Sequence, residues 1–539
     1  MWDLIIANSK ICDGSGRDIY TADIAIQGER IAAIGSLLGK AKATIDASGL
    51  VVTPGLIDAH SHADCLLTLP AEKQAECLRG KLYQGVSTII IGNCGLGIAP
   101  CLTEQVATQL TALNAWMAPE GFAVTPKTFD TFLQTIQNAE PPLNVAALVA
   151  HGAIRASVLG LAARSATSSE LDRMKGLLQD ALQAGALGLS SGLIYPPGMY
   201  APPDELQQLA KIIASSNKIY TSHIRGSSET LPQAVNELLE LARTSGARVH
   251  HSHNEAVGRR YWPQINKTLA TYERASDEGI RISFDVFPYP MAATMMTAIY
   301  PPWALEGGPQ ALLQRLKSNQ QRQAIKEAIE TTPSRWDSWK GRGWPHNLVK
   351  ATGWESIYIG YVKRNKQFEG ISISELASLT CKDPFDAISD LMLEEDATIS
   401  MLIYEISGDE TERSYLDALV EHPLSMICSD AEDYGRGLPH PAAYGAFARV
   451  LRRSRLSFEQ AVHKMTARTA ATFGIKDRGL ISSGMYADIA LFDQTNIEDT
   501  ATVRNPRSLA SGLKYLLING QLTISNGEYR QIKGKVLRC

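Results

Sequence analysis

An apolar run, "VVTPGLIDAHSHAD" (Val51–Asp64), ends in Asp58, His60, His62 and Asp64. Side chains alternate across a strand, so His60 and His62 face the same way. Two imidazoles on one face of a strand end can chelate one metal ion. Further donors recur at the ends of later apolar runs: Cys94 in "GNCG", His151 in "HGAIR", His223 in "SHIRG", His253 in "SHNEAVG" and Asp430 in "SDAED". Thiolate and imidazole are borderline-soft donors that favour Zn(II). The pattern predicts a tight zinc site of Cys94, His223 and His253. A weaker neighbouring site of His60, His62 and Asp430 lies beside it, with the Cys94 sulfur available to bridge.

Groups so far apart in the chain need a scaffold that gathers them. Eight apolar strand candidates alternate with amphipathic stretches such as "SELDRMKGLLQDALQAG". The candidates are the opening run, Val86–Gly95, Asn144–Arg155, Ala186–Tyr195, Lys218–Gly226, Ala247–Gly258, Arg281–Pro290 and Leu424–Asp433. Near-continuous apolar runs suit parallel strands covered on both faces, and eight such units predict a (β/α)8 barrel, an α/β fold whose functional groups collect at the C-terminal strand ends. On strand six His251 is expected to share the face of His253, one residue pair deeper. His253 is preferred as the ligand because Ser252-His253 repeats Ser222-His223. Strand four, "ALGLSSGLIY", offers no lysine that could bridge two metals as a carbamate.

Both chain ends carry short alternating strands broken by Gly, Asn and Asp, with Asn519-Gly520 and Asn526-Gly527 as turn dipeptides. Residues 1–53 and 478–539 are expected to form one small β-sandwich around a barrel of residues 54–477. Residues 300–420 form an insertion between strands seven and eight, a lid over the barrel mouth. Its Trp336, Trp339 and Trp344 suit an apolar wall for an acyl chain.

Composition narrows the function. The chain has 539 residues, 45% apolar and 20% charged, with a net charge of -4. This balance gives no reason to expect nucleic acid or a membrane surface as partner. The start "MWDLIIANSK" lacks the features of a signal peptide. The eight cysteines have no framework spacing, which suits a reduced, cytoplasmic protein.

"PGLIDAHSH", "GNCG", "HGAIR", "LGLSSGLIYPPG", "SHIRG", "SHNEAVG", "SDAED" and "PHPAAYGAFARVL" follow in an order that resembles the D-aminoacylase (N-acyl-D-amino-acid deacylase) family of the amidohydrolase superfamily. The "GNCG" and "SSGLIYPPG" pair is far more specific than the H-x-H. The resemblance implies that Cys94, His223 and His253 hold the tight zinc, that His60, His62 and Asp430 form the second site, and that Asp430 is the general acid/base. It implies a small amide or peptide-like substrate. Tyr195 is a candidate donor to the tetrahedral oxyanion. His151 is placed near the substrate or behind the ligands, and Tyr289 near the substrate.

The chain departs from the family where a substrate carboxylate would be held. Family members acting on free N-acyl-D-amino acids often carry Lys just after the second histidine, and here Asn254 and Glu255 follow. Strand seven reads Phe287-Pro288-Tyr289 with no basic residue close behind. Arg225, Arg259 and Arg436 are the candidate substitutes. Hydrolysis of a linear N-acyl-D-amino-acid-type amide is the expected activity. The alternatives are a cyclic-amide hydrolase of the hydantoinase or dihydroorotase kind and a non-catalytic scaffold.

Overall fold

The computed structural model describes residues 1–37, 39–337, 339 and 343–539. Eight parallel strands form the central barrel: β1 (Leu56–Asp58), β2 (Val86–Ile91), β3 (Asn144–Ala147, continued by Val149–Ala150), β4 (Gly188–Gly192), β5 (Ile219–His223), β6 (Arg248–His251), β7 (Ile282–Val286) and β8 (Ser425–Ile427). Nearly every residue of these strands is buried, as strands covered on both faces require. Ordinary end signals bound the surrounding helices. Thr167 and Glu170 form a reciprocal capping box at the start of Ser168–Gln183, and Gly246 ends Leu231–Ser245 in a left-handed conformation.

β8 and β1 close the ring without a regular ladder. The Asp430 N–H donates to the His60 carbonyl at 3.1 Å, and the Ser429 N–H donates to Asp58 Oδ1 at 3.0 Å.

A nine-stranded sheet draws on both chain ends. The run that was expected to be one strand is divided between two sheets. Val51–Pro54 pairs with Trp2–Ile11 and Ile489–Phe492 in this outer sheet, and only Leu56–Asp58 belongs to the barrel. Gly55 is the junction. A Cβ there would lie 2.4 Å from Ser87 Oγ, so only glycine lets the chain pass that close.

The last residues leave the outer sheet. Val536–Leu537 runs parallel to Asn144–Ala147, the Val145 N–H donates to the Lys535 carbonyl at 2.8 Å, and the Cys539 N–H donates to the Gly185 carbonyl at 3.1 Å. The tail thus occupies a slot beside the lower half of β3.

Between β7 and β8 the chain builds a three-stranded antiparallel sheet from Met291–Met295, Ile357–Tyr361 and Ser400–Tyr404, the last in the middle. Among the described residues no helix is long and apolar enough to cross a membrane.

Candidate metal centre

Six donors converge at the C-terminal rim of the barrel. Cys94 Sγ lies 3.2 Å from His60 Nε2 and 3.4 Å from His253 Nε2. The His60 and His62 Nε2 atoms are 3.3 Å apart, and Asp430 Oδ1 is 3.4 Å and 3.2 Å from them. The His223 and His253 ring centroids are 4.4 Å apart. Three overlapping ligand sets result: His60/His62/Cys94, Cys94/His223/His253 and His60/His253/Asp430. Cys94 belongs to two of them.

The backbone bends to aim these groups. Cys94 (φ 53°), His253 (φ 39°) and Asp430 (φ 46°) are all left-handed. Such non-glycine conformations cost about 1–3 kcal/mol each and persist where the surroundings enforce them. At Cys94 the cause is visible: a Cβ on Gly192 would sit 1.8 Å from the Cys94 carbonyl oxygen, so a bare backbone in β4 lets the "GNCG" turn lie against it.

The same bend corrects the reading of strand six. Positive φ at His253 ends the simple alternation. His250 is the residue that faces the barrel interior, with Nε2 2.7 Å from Asp285 Oδ2. His251 points outward, with Nδ1 2.8 Å from the Tyr272 hydroxyl on helix Gln264–Asp277.

Two buried acid–base groups behind the donors were not anticipated from the sequence. Asp285 in β7 has four neighbours on its two oxygens. Oδ2 meets His60 Nδ1 (3.3 Å) and His250 Nε2 (2.7 Å), and Oδ1 accepts from the His253 N–H (2.5 Å) and the Cys428 thiol (3.4 Å). Its signal was available: a lone carboxylate inside the apolar run "RISFDVF". The second group is Lys81, fully buried, with Nζ 2.6 Å from Asp58 Oδ2, 2.5 Å from Ser429 Oγ and 3.1 Å from Glu432 Oε1. Glu432 in turn accepts from the Ser61 hydroxyl and from the His62 N–H. This network joins β1 to β8 where the strands themselves do not pair.

Burial opposes charge throughout the cluster, and the neighbours overrule it. Burial weakens His60 and His62 as bases, yet Asp430, Cys94 and Asp285 hold His60 well above the usual imidazole range, and Asp430 and Cys94 raise His62 to about 9. Burial would raise the Cys94 thiol and the Asp430 carboxyl. His60 and His253 instead push Cys94 well below the thiol range, and His60 and His62 lower Asp430. A thiolate among imidazoles suits a borderline-soft divalent cation, which takes the place of the ring protons. The donor set therefore fits the metal that the sequence implies. His62 Nδ1 and His223 Nδ1 are buried and lack hydrogen-bond partners among the described residues.

The expected substrate residues separate into two groups. Tyr195 stands at the cluster, its ring centroid 4.9 Å from that of His223 and its hydroxyl 2.9 Å from Thr294 Oγ1 on the inserted sheet. Burial, reinforced by the Cys94 charge, raises its pKa and keeps the hydroxyl protonated. His151 starts the helix after β3, with Nε2 2.9 Å from Glu205 Oε1.

Arg225 is committed elsewhere, forking onto Glu237 (3.1–3.2 Å) and donating to the Met199 and Ala201 carbonyls. Arg259 is exposed, pairs with Asp409 and stacks on Trp262. The Tyr289 hydroxyl donates to Asp499 (2.9 Å). The structure brings none of these three side chains to the six donors.

Arg436 is differently placed. It lines a narrow cavity with His62, Trp116, Tyr361, Asp430 and His440. Its guanidinium lies 3.9 Å from the Tyr361 ring centroid, Nη2 donates to the Ala115 carbonyl at 2.5 Å, and Nε is buried without a partner among the described residues. Tyr361, Ser400 and Leu402 of the inserted sheet form one wall of this cavity.

A second small cavity is lined by Leu193, Ile194, Tyr300, Trp344 and His346. Trp336 and Trp339 pack instead around the Arg225 guanidinium, 6.0 and 4.8 Å from their ring centroids.

A barrel with thiolate, imidazole and carboxylate donors converging on its rim defines a metal-dependent hydrolase. The amidohydrolase family model matches residues 43–326 and 371–524, and the chain belongs to that family. Over 531 residues it is 30% identical to the N-acyl-D-aspartate deacylase of Alcaligenes xylosoxydans xylosoxydans, covering 96% of this chain and 91% of the relative. It superposes over its full length on N-acyl-D-glutamate deacylase from Bordetella bronchiseptica, solved with zinc and a phosphonate mimic of the tetrahedral intermediate (TM-score 0.81, 29% identity, 100% of both chains). A D-aminoacylase with a binuclear metal centre gives the same TM-score at 27% identity, again over 100% of both chains.

Proposed function

We propose that this chain hydrolyses a linear amide and releases an acyl group from the nitrogen of a D-amino-acid-type amine. Cys94, His223 and His253 would hold one zinc ion tightly, and His60, His62 and Asp430 a second, weaker one. The observation that carries this reading is the position of Asp430: its carboxylate touches both imidazoles of the H-x-H pair and lines the cavity that holds Arg436. Support for the D configuration comes from the relatives, whose names place D-amino acids on their substrates.

Bound at this centre, zinc lowers the pKa of water to about 7 and polarises a carbonyl oxygen. The protein supplies the rest. Asp430, kept ionised by His60 and His62, takes the proton of the attacking water and returns it to the leaving nitrogen. Tyr195, kept protonated, donates to the oxygen that becomes anionic. Arg436 faces the Asp430 side of the cavity, where the leaving amine must lie to receive its proton, and its free Nε suits the carboxylate of that amino acid.

The test is primary-amine release by zinc-loaded protein from matched N-acyl-D- and N-acyl-L-amino acids. Turnover of the D series alone supports the assignment. Equal turnover of both, or of neither, refutes it.

A further inference from the structure

Arg155, Arg225 and Arg478 are buried, and each faces a carboxylate: Glu205, Glu237 and Asp488. Arg248, Arg281 and Arg468 differ. All three line one cavity of about 550 Å³, whose walls hold no Asp or Glu. Among the described residues none of the three makes an ion pair.

The cavity lies at the floor of the barrel, at the opposite strand ends from the metal donors. Arg248 opens β6, and Arg281 immediately precedes β7. The Val249 N–H donates to the Arg281 carbonyl at 2.9 Å, which sets these two arginines on neighbouring chains. Arg468 reaches the same space from the short helix Ala467–Phe473. Arg281 and Asp285 lie on one strand, roughly 13 Å apart along it, so a ligand held at the floor does not touch the metal.

The arginines' present partners leave their charge unanswered. Arg248 donates to the Thr472 (3.4 Å) and Asn217 (2.8 Å) carbonyls, and Arg281 to the Gly246 carbonyl (3.1 Å). The Arg468 guanidinium donates to nothing among the described residues. Nε of Arg248 and Nε of Arg468 are buried without partners. Burial lowers the pKa of both groups, and the Arg281 charge adds to it at Arg248. The chain as a whole carries a net charge of -4, so its composition does not force three cations together without an anion. Buried charge and buried donors are ordinarily answered by a partner.

The chemistry of that partner follows from the set. Leu480, Ala467 and Ala471 give the cavity an apolar side, and small-molecule sites typically combine such walls with a few charged groups in about 300–1,000 Å³. A phosphate monoester carries about two negative charges and three terminal oxygens at neutral pH, a match for several guanidinium forks. A monocarboxylate brings one charge and two oxygens and leaves most of the positive charge unmatched.

We propose that this cavity binds a small organic phosphate, with the phosphate among Arg248, Arg281 and Arg468 and the apolar body against Leu480 and Ala471. It is a second site, separate from the metal centre, and it stands whether or not the chain is a deacylase.

Isothermal titration of full-length zinc-loaded protein with phenyl phosphate, benzoate and inorganic phosphate tests it. Phenyl phosphate should bind about tenfold or more tighter than benzoate, which keeps the ring and lacks the second charge. It should also bind tighter than inorganic phosphate, which lacks the ring. Arg468→Met breaks no hydrogen bond within the protein, so circular dichroism and zinc content should stay unchanged while phenyl phosphate weakens about tenfold or more. Arg248→Met should weaken it too. Cys94→Ala should bind phenyl phosphate as the wild type does.

Absence of binding to the wild type overturns the proposal, as does equal affinity for benzoate or for inorganic phosphate. An Arg468→Met variant that binds as tightly as wild type overturns it as well. Binding that disappears in Cys94→Ala would put the phosphate on the metal, and that too overturns it.

Discussion

Asp285→Asn is expected to loosen the metal while leaving every proposed ligand in place. The carboxylate faces four groups at once: the His60 and His250 ring nitrogens, the His253 N–H and the Cys428 thiol. An ionised carboxylate offers acceptor sites for all four, but an amide has one acceptor oxygen and places an NH2 donor against the other two. Whichever way the amide turns, His60 loses the partner that keeps Nε2 aimed at the centre, or His253 loses the acceptor that holds its left-handed backbone. Outer-shell partners of this kind are typically worth about 10- to 100-fold in metal affinity, or about 1.4–2.8 kcal/mol. Burial disfavours the Asp285 carboxylate, yet the charges on His60 and His250 hold it well below the usual range, so its charge is lost in the variant at all ordinary pH. Competition against a chromophoric chelator reads the zinc dissociation constant, and circular dichroism checks the fold. A constant within threefold of wild type would refute an anchoring role for Asp285.

Cys94→Ala should lose the tight zinc with the barrel still folded; full zinc by elemental analysis would count against the Cys94/His223/His253 set. Asp430→Asn should keep that zinc and lose about 100- to 10,000-fold in turnover, the usual worth of a general acid/base; activity within tenfold of wild type would exclude Asp430 from proton transfer. Arg436→Met removes one charge-assisted contact, about 1.5–3 kcal/mol, and should lower kcat/KM about tenfold or more for substrates with a free carboxylate but far less for their methyl esters. His440 donates from Nε2 to the Met291 carbonyl and accepts at Nδ1 from the Ala442 N–H, and burial lowers its pKa to about 4. Between about pH 4 and the unfolded value near 6.5, the unfolded chain binds a proton that the native one does not, so stability from this group is present above that window and falls as pH drops through it. His440→Asn should flatten the acid side of the stability curve measured by urea midpoint, and an unchanged slope would contradict this assignment.

Much of the barrel could be read from the chain because β2 through β7 are apolar runs long enough to announce themselves, and those of β2, β5 and β6 end in or just before a proposed metal donor. The ligand types were legible for the same reason: Cys94, His223 and His253 interrupt apolar text at strand ends. Their orientations were not. Alternation is a rule of extended backbone, and it fails at His253, where φ turns positive and moves His250, rather than His251, onto the inner face. Gly55 hid a change of sheet inside one apolar run. Lys81 was invisible because a lysine in a short helix, Arg79–Leu82, looks like any solvated one; only the fold shows Asp58 and Glu432 closing around it. Arg225 and Arg436 look equally available in the sequence, and Glu237 decides between them by occupying the first.

The slot beside β3 has a consequence for the order in which the molecule can be finished. The lower half of Asn144–Ala147 finds its neighbour in Val536–Leu537, and Lys535 reaches Asn144 across 391 positions of sequence. On a ribosome, β3 is made long before the segment that seals it. Until then one edge of the nascent sheet has unmatched N–H and C=O groups, the kind of edge that recruits a stranger's strand. Closing so long a loop is slow compared with local helix formation. Synthesis therefore leaves this flank of the barrel open until Val536–Leu537 has been made, and a chain broken off shortly before Lys535 would hold every proposed metal ligand with its third strand exposed.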